Sequence, residues 1–153
     1  MFLLAPVVIT QPADAASLSI PFADRSTALV RVLPDRGLGY RLTIDCTSGC
    51  SNPLHFQTPV GDTPMGLVYL DDDDLVYSLW GAGCCYVVRV WRIMPNGVQK
   101  LLEAASRGRP SILWRSGLTI ETYMRPTDAT GRETSMSSRP IRWAYRHGRF
   151  NRK

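Results

Sequence analysis

The chain has 153 residues, of which 44% are hydrophobic and 20% charged, values that are ordinary for a single soluble globular domain. The net charge of +5 is unevenly distributed along the chain. Residues 1–124 carry ten basic and eleven acidic side chains, whereas residues 125–153 carry eight basic and two acidic ones. No stretch is long and apolar enough to predict a membrane-spanning helix, and the scarcity of Lys and Glu beside abundant Thr, Val and Ile favours strands.

The N-terminal segment has two features of a secretory leader. Residues 2–9 are apolar but too short to cross a bilayer, and Ala13 and Ala15 fit the small-x-small rule of a cleavage site. A basic residue before the apolar run is missing. We predict a signal peptide at 1–15, one β-rich domain at 16–153 and a periplasmic or secreted location; the alternative is that the apolar run is a buried first strand.

The rest of the chain alternates between apolar and polar residues in short runs, separated by turn residues. In residues 39–45, for example, Tyr40, Leu42 and Ile44 share one side, and the residues between them share the other. Many short strands at this spacing predict a mainly β, antiparallel sandwich or barrel-like fold of about ten strands. We expect strands at residues 17–22, 27–33, 39–45, 66–70, 75–80, 85–93, 98–102, 111–114, 118–124 and 141–145.

Residues 45–64 predict a long polar loop, because they contain Pro53, Pro59 and Gly49. A loop of this length in a compact domain is often functional. It contains His55, a candidate catalytic residue if the protein is a hydrolase, although the simpler interpretation is a half-buried loop residue.

Residues 71–74 are four consecutive aspartates between two predicted strands. Calcium prefers carboxylate oxygens from alternate positions, so Asp71 and Asp73 are candidate calcium ligands. The simpler interpretation is a solvated hairpin tip, with no cofactor bound.

Four cysteines predict disulfide bonds in an exported chain. Cys46 and Cys50 form a C-x3-C that is easy to close, and Cys84 and Cys85 are adjacent. Two local bonds or two cross-links between the segments are both possible; the cross-links require residues 84–85 to lie at a strand end. The spacing is unusual for zinc, and the absence of C-x-x-C argues against a redox motif.

Residues 98–106 are compatible with two structures. Val98, Leu101, Leu102 and Ala105 fit one face of a short helix. The same segment directly follows Pro95-Asn96-Gly97, a hairpin turn sequence, and therefore also fits a returning strand. We favour the strand.

The C-terminal segment interleaves arginines with aromatic residues. Alternation places Trp143 and Tyr145 in the core and leaves the arginines outside. The outward positive charge predicts an anionic partner or, more simply, a solvated edge strand. The candidate partner-binding residues are Arg142, Arg146, Arg149 and Arg152.

No catalytic motif is evident in the sequence. We therefore expect a non-catalytic binding protein, such as an inhibitor, an immunity-type protein or an envelope accessory, with a protein or anionic envelope component as its partner. Nucleic acid is not expected for an exported protein. The alternative is a small secreted hydrolase that uses loop carboxylates or His55.

Overall fold

A computed structural model describes residues 16–22, 25–36, 39–50, 54–70, 73–114, 116–133 and 138–153. The predicted signal peptide lies outside these residues. The described part of the chain forms twelve strands and no helix, and the strands form three antiparallel sheets of four. In each sheet the strands pair in chain order, as expected for consecutive hairpins.

Sheet 1 consists of β1 (Ala16–Pro21), β2 (Thr27–Asp35), β3 (Gly39–Ser48) and β4 (His55–Val60). Sheet 2 consists of β5 (Thr63–Leu70), β6 (Leu75–Gly81), β7 (Tyr86–Met94) and β8 (Gly97–Ser106). Sheet 3 consists of β9 (Ser111–Leu113), β10 (Thr119–Met124), β11 (Arg139–Arg146) and β12 (Arg149–Arg152). Among the residues in these ranges and their described connections, there is no helix that could span a membrane.

Sheet 2 is the middle layer of the fold, because its two faces contribute to two different hydrophobic clusters. Val76 and Trp80 pack with residues of sheet 1, whereas Tyr77 and Leu79 pack with residues of sheet 3. Consecutive side chains of a strand point to opposite faces, so burial on both faces explains why residues 75–80 are all buried. The predicted mainly β, antiparallel sandwich or barrel-like fold is confirmed, and the described sheets form a sandwich-like arrangement.

The polar Ser78 lies in the interior of β6, and its hydroxyl forms two hydrogen bonds. Its Oγ donates to the carbonyl of Arg89 over 2.8 Å and accepts from Trp80 Nε1 over 2.9 Å. Buried polar groups are stable when they are paired in this way, so a serine is compatible with this fully buried strand.

The helical alternative for residues 98–106 is wrong. The segment lies in β8, where Leu102, Ala104 and Ser106 are buried and Glu103 and Ala105 are exposed. This period of two matches a strand that packs one face on the core. The hairpin turn predicted at residues 95–97 is confirmed, because Met94 pairs with Gly97.

The long loop predicted at residues 45–64 is also wrong. Strand β3 continues to Ser48, and β4 occupies His55–Val60. Proline is tolerated on an edge strand because an edge has fewer hydrogen-bond partners to satisfy, and β4 is at the edge of sheet 1 with Pro59 exposed. This strand and β12 bring the total from about ten predicted strands to twelve.

Candidate anion-binding surface

Three arginines share the outer face of sheet 3, which points away from sheet 2. Arg142 and Arg146 lie on β11, and Arg149 on β12 is the direct cross-strand neighbour of Arg146. We call Arg142, Arg146 and Arg149 the basic surface. The first two are four positions apart, a distance of about 14 Å along a strand, so the basic surface is wide enough for several anionic groups.

Strand alternation and a tight turn place these arginines together. Trp143 and Tyr145 pack toward sheet 2, which leaves Arg142 and Arg146 on the opposite side. The turn consists of His147 and Gly148, both with positive φ (52° and 78°), as in a two-residue type I′ turn. The turn sets the register that pairs Arg146 with Arg149.

Arg146 is fixed by backbone carbonyl groups. Its Nη1 donates to the carbonyl of Tyr145 over 2.8 Å, and its Nη2 donates to the carbonyl of Ser116. Gly117 has a φ of +103°, and a Cβ at this position would lie 2.5 Å from Arg146 Nη1. The β9–β10 turn therefore needs glycine for its backbone conformation, whereas an added Cβ would only require the end of the Arg146 side chain to shift.

Charge compensation on the basic surface is partial. Arg142 Nε donates to Glu121 Oε2 over 3.0 Å, and the hydroxyl of Tyr123 donates to the other oxygen of this carboxylate over 2.8 Å. Within the described residues, neither Arg146 nor Arg149 forms an ion pair. The positive charge of these two arginines is therefore available to a ligand.

Arg152, the fourth predicted arginine, lies on the other face of sheet 3. It is opposite Trp143 in the β11–β12 register, and it is exposed. The structure thus brings together three of the four predicted arginines and separates the fourth. Sequence reasoning did not identify the supporting residues Ser116, Gly117 and Glu121, because they lie on β10 and the turn before it.

The calcium candidates are only partly described, because Asp71 lies outside the described residues. Asp73 Oδ2 accepts from the hydroxyl of Tyr145 over 2.8 Å and from Arg92 Nη2 over 3.2 Å. Burial, together with the hydrogen bond to Asp73, raises the pKa of Tyr145 to about 12. Asp74 accepts from the hydroxyl of Tyr69 over 2.8 Å. In the described part of the chain, no three His, Cys, Asp or Glu side chains converge as a metal site.

His55 is the first residue of β4 and is directly opposite Asp45 on β3. Its Nδ1 pairs with Asp45 Oδ1, and Arg31 Nη2 is 3.4 Å from Asp45 Oδ2. His55 and Phe56 line one side of an open depression of about 400 Å³, with the β7–β8 turn on the other side. Among the described residues, no serine, threonine or cysteine hydrogen bonds with the imidazole. The sequence did not reveal the role of Asp45, because it predicts a loop where β3 pairs with β4.

The cysteines lie in two local pairs that can form disulfides, Cys46 with Cys50 and Cys84 with Cys85. Residues 84–85 do lie at a strand end, directly before β7. The arrangement favours the two local bonds over cross-links between the segments, and neither local bond would join separate parts of the fold.

The chain matches no protein-family model, no curated protein and no solved structure.

Proposed function

We propose that this protein is a non-catalytic binding domain that is exported to the periplasm or outside the cell, and that it holds an anionic macromolecule or envelope component on the basic surface. The observation that carries the proposal is the direct pairing of Arg146 with Arg149 on neighbouring strands. Like charges in this position destabilise a sheet. An anionic ligand over this face would offset the positive charge of both arginines and would gain charge-assisted hydrogen bonds from N–H groups that the backbone carbonyl groups leave free.

The orientation of Trp143 and Tyr145 removes the sequence-based argument for single-stranded nucleic acid as the partner. Proteins that bind such strands present aromatic rings on which bases stack. Tyr145 is 9% exposed, and Trp143 is half-buried, with its Nε1 donating to Thr122 Oγ1 over 3.0 Å. The aromatic residues that alternate with the arginines in sequence therefore do not accompany them on the basic surface.

The first test measures binding to vesicles that contain equal parts of phosphatidylglycerol and phosphatidylcholine, with pure phosphatidylcholine as the uncharged reference. An arginine near an anionic surface contributes about 1 kcal/mol, so the triple variant R142E/R146E/R149E should bind at least about a hundredfold more weakly. The control R36E/R109E/R132E has the same net charge, and in the described structure none of its three sites forms an ion pair. Equal losses in the two variants would overturn the proposal.

A hydrolase is the second candidate, and the His55–Asp45 pair favours it. A carboxylate that fixes an exposed imidazole is the arrangement of a general base and its orienting group. The test is hydrolysis of simple ester, phosphodiester and peptide substrates by the wild type and by H55A. An activity that H55A abolishes while its unfolding midpoint is retained would support this candidate, and the absence of such an activity would reject it.

A further inference from the structure

We propose that the Cys84–Cys85 bond is a thiol–disulfide exchange site rather than a structural cross-link. A dithiol reductant, either a protein or a small molecule, would open it, and its two thiols would then act together as one vicinal dithiol. The proposal is independent of the basic surface.

The two cysteines lie at the tip of the β6–β7 hairpin, where Cys84 is exposed and Cys85 is half-buried. The loop has its own backbone hydrogen bonds, from Ala82 N to the carbonyl of Cys85 and from Cys84 N to the carbonyl of Ala82, both 2.8 Å. The strands continue the pairing directly beside it, with Gly81 opposite Tyr86. The hairpin therefore does not need the sulfur–sulfur bond in order to stay closed.

The position of the two cysteines in the sequence also limits what the bond can contribute to folding. Consecutive residues are separated by a single peptide bond, and their Cα atoms are 3.8 Å apart. Most disulfides join Cα atoms about 4.4–6.8 Å apart, and bonds outside this range are more easily reduced. A bond between neighbouring residues also removes almost no conformational freedom from the unfolded chain.

A positive charge lies beside the site. Arg107 Nη1 donates to the carbonyl of Cys84 over 3.4 Å, and the same guanidinium pairs with Glu133. Arg107 therefore fixes the backbone of the loop at Cys84, while Glu133 compensates its charge.

The exchange proceeds in two balanced steps. A thiolate of the reductant attacks one Sγ, so that the Cys84–Cys85 bond breaks, a mixed disulfide forms and the released thiolate takes a proton from water. The second thiolate of the reductant then attacks the mixed disulfide. The protein gains two electrons and two protons as a dithiol, and the reductant leaves as a disulfide.

The experiment equilibrates the oxidised protein in glutathione buffers of graded ratio, alkylates the free thiols and maps them by mass spectrometry. Cys46–Cys50 is the control within the same molecule. We expect Cys84–Cys85 to have an equilibrium constant for reduction at least about tenfold larger, or about 30 mV, and the reduced hairpin to keep its circular dichroism spectrum. Equal or greater resistance to reduction at Cys84–Cys85, or unfolding when it opens, would overturn the proposal.

A second readout asks whether the two thiols act as one site. Phenylarsine oxide condenses with two thiols, releases water and forms two arsenic–sulfur bonds. The reduced C46S/C50S variant should bind one equivalent, and a variant that carries C84S and C85S in addition should bind none. Absence of binding by reduced C46S/C50S, or binding that persists without any cysteine, would contradict the assignment of a dithiol to residues 84–85.

Discussion

The hydroxyl of Tyr145 donates to the carboxylate of Asp73 over 2.8 Å, although the two residues are 72 positions apart in the chain. This hydrogen bond joins the β5–β6 turn of sheet 2 to β11 of sheet 3. Arg92 Nη2 completes the contact, with donor distances of 3.2 Å to Asp73 Oδ2 and 3.0 Å to the Tyr145 hydroxyl. The acidic turn therefore helps to hold the sheets together.

Removing this hydroxyl should weaken the fold modestly. Hydrogen bonds to charged groups contribute about 1.5–3 kcal/mol, but the Asp73 side chain is 52% exposed, and water can partly replace the lost donor. We expect Y145F to lower the free energy of unfolding by about 1 kcal/mol in urea titrations. Y86F is the matched control, because in the described structure the Tyr86 hydroxyl forms no hydrogen bond. Equal stability of the two variants would show that the cross-sheet bond contributes nothing.

The buried tyrosines predict a loss of stability at alkaline pH. Burial raises the pKa of Tyr77 to about 12, and the pKa of Tyr145 is also raised to about 12. Tyrosines in an unfolded chain have a pKa of about 10. Above that pH the unfolded chain releases protons that the folded protein retains, so the free energy of unfolding falls as the pH rises from about 10 to about 12.

The measurement is the urea midpoint at a series of pH values from about 9 to about 12. The Y77F/Y145F variant should start from a lower stability and show a shallower decline, because phenylalanine does not titrate. A decline of the same slope in the wild type and the variant would assign the alkaline loss to other groups.

Gly117 should be difficult to replace in the β9–β10 turn. Its φ is +103°, a backbone conformation in which any side chain is strained. We therefore expect G117A to lower the free energy of unfolding by about 1–3 kcal/mol. G97A is the control, because Gly97 has no positive φ and open space around its Cβ position. The comparison uses urea unfolding, and a similar stability of the two variants would contradict the role of Gly117.

Calcium should leave the thermal midpoint unchanged. Asp73 Oδ2 already accepts from Tyr145 and Arg92, and a bound cation at this oxygen would have to displace the Arg92 guanidinium. The measurement compares chelator-treated protein with and without calcium at about 1 mM, the range of weak extracellular sites. A higher midpoint with calcium would show that the acidic turn binds the ion.

The strands that sequence reasoning identified are mostly those with one buried face. In β3, Leu42 and Ile44 are fully buried, and the predicted alternation is confirmed. Strand β4 was missed because exposed polar residues and Pro59 interrupt the apolar signal at the edge of sheet 1. The two interpretations of residues 98–106 could be separated only by tertiary pairing, since β8 obtains its register from β7.

Strand alternation predicts which arginines of a single strand share a face, and this part of the candidate site could be read from the sequence. Alternation placed Arg142 and Arg146 on one face, but the separation of Arg149 from Arg152 depends on the register of the His147-Gly148 turn. A one-residue change in register moves every side chain of a strand to the other face. The contacts of Asp45 with His55 and of Asp73 with Tyr145 depend on strand and sheet pairing, which no local pattern encodes.

The most direct test of the proposed function compares R149E with R152E. Both are exposed arginines of β12 and the two variants have the same net charge, but Arg149 is on the basic surface and Arg152 on the opposite face. On vesicles that contain phosphatidylglycerol, R149E should bind at least about fivefold more weakly than the wild type, and R152E should bind nearly as well as the wild type. Equal affinity of the two variants would contradict an anion-binding site on this face.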